Sequence, residues 1–563
     1  LLARALRLHG IRYIERLKIA RGWYNQGVRS ARANGAATEK TMKKLFSRFT
    51  FIALTIILTF IVDVLLVFTG IYILEQILEA AFPVASRWIS LAVTAVGWLI
   101  VFITVLNIAN RDMVPETKVS WLITVIVLNV FGVAIYAVFS HNRPSRRNRR
   151  RFAALYERTK PFLYPAVSDE RLSADWGRWA GLSTSLRRST SLAIAHAGTK
   201  TEYFATGELF FERLKEDLEG AKNFIFLEYF VVARGVMWNA ILDILTRKAA
   251  EGVEVRMLYD DIGCMGKLRA GYARGLRKRG IKCVKFSPFV PVVSNVHNNR
   301  DHRKIAVIDG TIGYTGGINL ADEYVNATHP FGHWKDTAIR MEGKGVKSLV
   351  LMFLQTYNFR EKQAEDFTPY LSAEYPRFEG EGYVQPYGDG PRPLYERSIG
   401  EDVYLNIINE AKEYVYITTP YLIIDHRLRE ALLQAAGRGV DVRIVTPHIP
   451  DKKIPFALTR SNYMPLIKGG VKIYEYTPGF IHAKSFLADG EIGVVGTINL
   501  DYRSFLHHFE NAVLMFQTRA LIDLKRDFEE TFEVSALQTE ADAKKSVVWR
   551  GLCEVAKAFA PLF

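Results

Sequence analysis

At 563 residues the chain is too long for one ordinary domain and is expected to hold two or three. Its formal charge of +16 is unevenly spread: residues 1–160 carry about 23 Lys and Arg against 8 Asp and Glu, and the rest carry 51 against 50. A near-neutral C-terminal part argues against a nucleic-acid enzyme, which would place positive charge around its cleft. Basic flanks on an apolar region suit anionic lipid headgroups instead.

In chain order, residues 1–49 form a basic N-terminal segment with about twelve Lys and Arg. Residues 50–140 hold three apolar stretches, Phe51 to Leu74, Ile89 to Ile108 and Val119 to Phe139, each close to the ~20 residues needed to cross a bilayer. The last two are nearly free of charge and read as spanning helices. The first contains Asp63, which costs a few kcal/mol on insertion unless partnered, and reads as a third span, a re-entrant element or a helix packed on the others. A cleaved signal peptide fits poorly. Residues 141–199 read as a basic linker that opens with Arg143, Arg146, Arg147, Arg149, Arg150 and Arg151. The positive-inside tendency wants both basic flanks in the cytoplasm, yet three crossings would separate them; the dense Arg run beside the last span places the catalytic part in the cytoplasm.

Beyond residue 200 the sequence repeats itself. Ala221-Lys222 precedes an apolar strand, Phe224 to Phe230, and Ala411-Lys412 precedes Tyr414 to Thr418. Helix-period segments follow (Ile241 to Ala250, Leu428 to Ala436), then Gly252-Val253-Glu254-Val255-Arg256 and Gly439-Val440-Asp441-Val442-Arg443, each a helix-ending Gly leading into a buried strand. Alternating helices and strands predict a duplicated α/β sandwich with mostly parallel sheets, preceded by an all-α transmembrane segment. The halves are expected at 200–380 and 381–535, with an amphipathic tail at 536–563. The first half is longer before its motif, and the extra residues include Ser287-Pro288-Phe289-Val290-Pro291-Val292-Val293, either a packed loop or a lip that dips into lipid.

The chemistry sits in the second part of each repeat. His302-x-Lys304 with Asp309 recurs as His482-x-Lys484 with Asp489, and Asn319 recurs as Asn499. Residues i and i+2 of a strand share a face, so each His stands beside its Lys, while Asp309-Gly310 and Asp489-Gly490 read as strand-ending turns. Two imidazoles, two ammonium groups and two amides facing one another suit a phosphodiester. Lys and Asn neutralise the non-bridging oxygens, one His attacks phosphorus, and the other moves the alcohol proton. Asp309 and Asp489 sit too far along their strands to reach phosphorus, and their expected part in catalysis is to hold the turn. Cys264, Cys283 and Cys553 lack metal-ligand spacing, and the sequence has no nucleotide-binding loop, so neither metal nor cofactor is expected.

These twin motifs resemble those of the phospholipase D superfamily, over residues from about 200 to 535. Within it the chain looks most like the bacterial cardiolipin synthases, through Thr418-Thr419-Pro420-Tyr421, Gly470-Val471-Lys472-Ile473-Tyr474 and Gly496-Thr497-Ile498-Asn499-Leu500-Asp501-Tyr502-Arg503-Ser504. The resemblance implies two pseudo-twofold related halves with the site at their junction, His302 as the nucleophile, and an acidic residue orienting each imidazole, matched here by Asp336 and Glu510. It also implies phosphatidylglycerol and an anionic bilayer as partners, with no nucleic acid. The phosphatidyl group would pass from one phosphatidylglycerol through a phosphohistidine to a second, releasing glycerol. The same residues would serve a phospholipase D using water, or a transferase using another alcohol. His297, His333, His507 and His508 receive no role.

Overall fold

The computed structural model describes residues 80, 83–140, 145–163, 167–189, 192–288, 298–362, 365–376 and 378–562. The N-terminal basic segment, the first apolar stretch with Asp63, residues Phe289–Val293 of the lip, and His297 lie outside the described residues. Residues Leu1–Gly97 and Trp98–Phe563 form separate units, and the described part of the first is the beginning of one helix.

That helix, α1 (Pro83–Asn110), exposes Trp88, Leu91, Val93, Leu99, Phe102 and Ile103. A helix apolar on every face is one whose solvent is lipid, and Trp88–Asn110 is 23 residues, long enough to cross. The next helix, α2 (Pro115–Phe139), has the length and composition of a span but not its path. Asn129 leaves helical geometry at φ 52 and ψ −131. A Cβ on Gly132 would lie 2.3 Å from the carbonyl oxygen of Thr124, whereas a straight helix would separate those residues by about 12 Å. The Trp121 and Tyr136 rings meet edge to face at 5.4 Å. The stretch Val119 to Phe139, expected as one continuous helix, therefore folds back as a helical hairpin. Asn129 makes the turn, and the missing side chain of Gly132 lets the two arms touch.

The stretch expected as a linker is folded. α3 (Arg146–Thr159), α4 (Asp169–Trp176), the turn Gly177–Trp179 and α5 (Ala180–Arg188) bury Phe152, Leu172, Trp176, Trp179, Leu182 and Leu186 in one core with the C-terminal sheet. Arg178 pairs with Asp489 at 2.6 Å and Glu491 at 2.7 Å. β1 (His196–Ala197) then joins the edge of that sheet.

The first sheet uses β2 (Lys200–Phe204), β3 (Phe224–Tyr229), β4 (Glu254–Asp260), β5 (Lys282–Phe286), β6 (Lys304–Ile308) and β7 (Ile312–Gly316). The chain then leaves it for β8 (His333–Lys335) and returns as β9 (Ala338–Glu342), giving the order β2-β9-β7-β6-β3-β4-β5. The helix α6 (Val346–Glu361), buried over most of its length, packs on β3, β5 and β6 and on a strand of the second sheet, β10 (Tyr383–Asp389). There follow β11 (Tyr414–Thr418), β12 (Leu422–Ile423), β13 (Asp441–Pro447), α7 (Lys453–Ser461), β14 (Lys472–Tyr476), β15 (Gly479–Ile481), β16 (Ser485–Ala488), β17 (Ile492–Gly496), β18 (Leu500–Asp501), β19 (Glu510–Phe516) and β20 (Ser535–Leu537). The second sheet runs β1-β10-β19-β17-β16-β11-β13-β14-β20, and β7 and β9 lie against β17 and β19.

Each sheet has one parallel run, β3-β4-β5 and β11-β13-β14; its other pairings are antiparallel. The expectation of mostly parallel sheets is thus corrected, and the Asp-Gly turns are the reason. Asp309 and Gly310 have φ 50 and 70, Asp489 and Gly490 have φ 53 and 67. Two consecutive positive φ values close a tight hairpin, which makes β6-β7 and β16-β17 antiparallel. The chain ends in α8 (Val547–Phe559), which turns Cys553 inward and leaves Val547, Val548, Leu552 and Val555 exposed.

Candidate active site

His302 stands just before β6 and His482 just before β16. The backbone N–H of His302 donates to Phe509 O at 2.9 Å, and that of His482 to Lys335 O at 2.7 Å. Phe509 leads into β19 of the second sheet; Lys335 ends β8, which follows the first motif and pairs in parallel with β15, immediately before His482. Each motif is thus tied to the segment that follows the other motif.

The side chains repeat the exchange. His302 Nδ1 lies 3.0 and 2.9 Å from the two carboxylate oxygens of Glu510, and His482 Nδ1 lies 2.7 Å from Asp336 Oδ2. Both imidazoles are buried, which lowers their pKa well below the ordinary value; the Glu510 charge opposes the shift at His302, and the Lys484 and Lys304 charges add to it at His482. Burial alone would raise Glu510, but His302 and His508 outweigh it and hold this carboxyl below its usual range. An ionised carboxylate only accepts, so Nδ1 of His302 carries the proton and Nε2 keeps its lone pair. Asp336 differs: burial pushes it up to about 7 against Lys484 and the Thr337 N–H.

Lys304 and Lys484 are buried beside their histidines, and each ammonium bonds the carbonyl of the His two residues back. Burial lowers Lys304 to about 7 and Lys484 to about 8, against the pull of Glu510 and Asp336. Each lysine shifts the other sheet's groups, so the cationic pairs share one field. Thr337 Oγ1 and Ser485 Oγ meet at 3.1 Å across the junction, and Asn511 donates to Thr315 Oγ1 at 2.8 Å. Asn319 is held by Val231 N–H at 2.9 Å and by Tyr324 at 2.7 Å; Asn499 contacts Asp501 at 3.3 Å, and its Oδ1 has no partner among the described residues. A Cβ at Gly317 would strike Asp336 Oδ1 at 2.0 Å, so glycine there makes room for the carboxylate.

Asp309 and Asp489 do not join this group. Asp309 accepts from the N–H groups of Lys222, Asn223 and Phe224, and Asp489 from those of Lys412, Glu413 and Tyr414, at 2.6–2.9 Å. They pin each hairpin to the start of the neighbouring strand.

Residues without a sequence-based role complete the site. Thr497 Oγ1 donates to Glu510. The His508 ring centre is 5.4 Å from that of His302, and its Nδ1 is 3.5 Å from Glu510 Oε1. The matching place beside His482 is filled by Trp334, at 5.5 Å. The signal was there: each precedes its carboxylate by two residues. His302, His508 and Glu510 offer ligand atoms within 4.8 Å of one another; a divalent ion held there would compete with the Nδ1 proton of His302. A cavity of about 430 Å³, lined by Tyr421, Ile423, Ile454, Leu458 and Tyr502, reaches Asp501 beside Asn499.

A family described as cardiolipin synthase, PLD-like domain, matches residues 214–330 and 404–533. The chain is 45% identical to an uncharacterized protein of Streptococcus mutans serotype c (strain ATCC 700610 / UA159), over 82% of this chain and 99% of that one. It is 35% identical to the cardiolipin synthase of Geobacillus sp. (strain WCH70), over 82% of this chain and 92% of that one. Its fold is similar to that of phosphatidylserine synthase from Haemophilus influenzae Rd KW20, with a TM-score of 0.52 and 14% identity over 69% of this chain and all of the other. On this evidence of sequence and fold, the chain belongs to the cardiolipin synthase family of phospholipase D-type phosphatidyltransferases.

Proposed function

We propose that the protein makes cardiolipin from two phosphatidylglycerol molecules at a single site shared by two pseudo-twofold related halves. The observation that carries this reading is the exchange of carboxylates: Glu510 follows the second motif but holds His302, and Asp336 follows the first but holds His482. Nε2 of His302 attacks phosphorus, and the ionised Glu510 stabilises the imidazolium that forms. His482 protonates the leaving glycerol oxygen. It then takes the proton of the primary hydroxyl of a second phosphatidylglycerol, which displaces His302 and completes the exchange of one phosphodiester for another. Lys304, Lys484 and Asn499 neutralise the phosphoryl oxygens, with Asn319 reaching them once Tyr324 lets go. The acyl chains lie in the cavity beside Ile454 and Leu458.

The enzyme is held in the membrane with its catalytic part in the cytoplasm, on the side of the Arg146–Arg151 run. Purified protein on phosphatidylglycerol vesicles is expected to yield cardiolipin with matching glycerol. Phosphatidic acid alone would make the acceptor water and overturn the reading. Labelled phosphatidylglycerol should trap an acid-labile, base-stable adduct, and its persistence after replacing both His302 and His482 would exclude a phosphohistidine.

A further inference from the structure

The membrane segment carries a conflict of charge. About twelve Lys and Arg precede the first apolar stretch, and the Arg run from Arg146 to Arg151 follows the last. Basic flanks belong on the same face, which an odd number of crossings forbids.

The path of α2 takes one crossing out of that count. Its arms, on either side of Asn129, have roughly 14 and 10 residues, or about 21 and 15 Å at 1.5 Å per residue. A hydrocarbon core is about 30 Å thick, so neither arm crosses it. Both ends of the hairpin return to one place. Arg111, just before α2, bonds the Tyr136 hydroxyl in the second arm at 2.9 Å, and Asp112, Val114, Phe139 and Ser140 line one cavity of about 680 Å³. The catalytic unit anchors that end: His426 N–H donates to Glu116 Oε1 at 3.1 Å, and Ser120 Oγ bonds the Ala558 carbonyl of α8.

We propose that α2 is a re-entrant hairpin, entering and leaving the bilayer on the face that carries the catalytic unit, with its tip covered by the acyl chains of that leaflet. Ile126, Val127, Leu128 and Val130 at the tip are exposed and apolar, as an acyl environment requires. The chain leaves helical geometry at one residue, which confines the backbone groups without helical partners to the facing ends of the two arms. The Thr124 hydroxyl donates back to Ser120 O at 2.8 Å. The exposed apolar face of α8, bonded to the first arm, lies in the same leaflet.

The test uses the full-length protein in oriented membrane vesicles and single substitutions at exposed positions: Asp112→Cys before the hairpin, Arg146→Cys after it, and Lys278→Cys on the catalytic unit. The wild-type chain, whose Cys264, Cys283 and Cys553 are buried, is the blank. An impermeant maleimide should label all three from the same face. Labelling of Asp112→Cys and Arg146→Cys from opposite faces would overturn the proposal. A fluorophore on Val127→Cys should be quenched by lipids with a mid-chain nitroxide, and an unquenched fluorophore would place the hairpin outside the bilayer and equally overturn it. Neither readout depends on cardiolipin being formed.

Discussion

Replacing Glu510 with Gln preserves shape and removes charge, so it isolates what the exchanged carboxylate does for His302. In the proposed first step that imidazole becomes cationic, 2.9 Å from Glu510. A hydrogen bond to a charged group contributes about 1.5–3 kcal/mol, and two charges 4 Å apart interact by about 4 kcal/mol at an effective dielectric of 20. At 1.36 kcal/mol per decade these bounds give a loss of roughly 10- to 1,000-fold. The assay is the burst of glycerol released from phosphatidylglycerol vesicles, which reports the first step before turnover. The comparison with Asp336→Asn carries the sign. Glu510 lies below its usual range and stays ionised from pH 6 to 8, so the Gln defect should be constant there. Asp336, raised to about 7, is protonated below that pH and ionised above it. Asn mimics the protonated form, so its defect should be small at pH 6 and grow toward pH 8. A Glu510→Gln burst within threefold of wild type, or a pH-dependent Gln defect beside a flat Asn one, would refute the assignment.

Asp309→Ala or Asp489→Ala should cost about 2–4 kcal/mol by stranding three N–H groups at a positive-φ position, read as a lower unfolding temperature with turnover per folded molecule little changed. Lys304 and Lys484 lose their charge as pH rises through about 7 and 8, so affinity for a soluble short-chain phosphatidylglycerol should weaken from pH 7 to pH 9. His508→Phe keeps the ring against His302 but removes the nitrogen facing Glu510. The 3.5 Å approach is weaker than a hydrogen bond of about 0.5–1.5 kcal/mol, so the glycerol burst should slow by less than about tenfold without loss of thermal stability.

The i, i+2 spacing of His and Lys made the site legible, because strand geometry fixes which side chains share a face whatever the rest of the fold does. The same local rule explains the turn-holding Asp309 and Asp489. What spacing cannot carry is which segment crosses to which motif. Asp336 and Glu510 stand out as acids downstream of their own motifs, yet each serves the other's, because β8 pairs with β15 and Phe509 accepts from His302. The path of α2 was hidden for a related reason: hydropathy averages over a window, and one Asn with positive φ leaves that average untouched while reversing the chain. Residues 141–199 misled in the opposite way. Their arginines mark an exposed face, and the Trp176, Trp179, Leu182 and Leu186 stripe between them is the buried one.

Under the proposed mechanism, the exchange also accounts for how two similar motifs would divide the labour. Equivalent backbone bonds place both imidazoles, so geometry alone gives no reason for one to attack and the other to carry protons. The carboxylates supply it. Glu510 accepts from His302 and Thr497 with His508 3.5 Å away, and its carboxyl is held below its usual range. It therefore favours a histidine that must become a cation and remain one while phosphorus is attached. Asp336 has the bulky Trp334 two residues before it where Glu510 has His508, and its proton affinity sits near neutrality. A carboxyl so poised lets His482 gain and lose a proton at little cost, as an acid that must become a base within one cycle requires. Since each carboxylate follows the other motif in the chain, neither motif assembles its pair from its own segment.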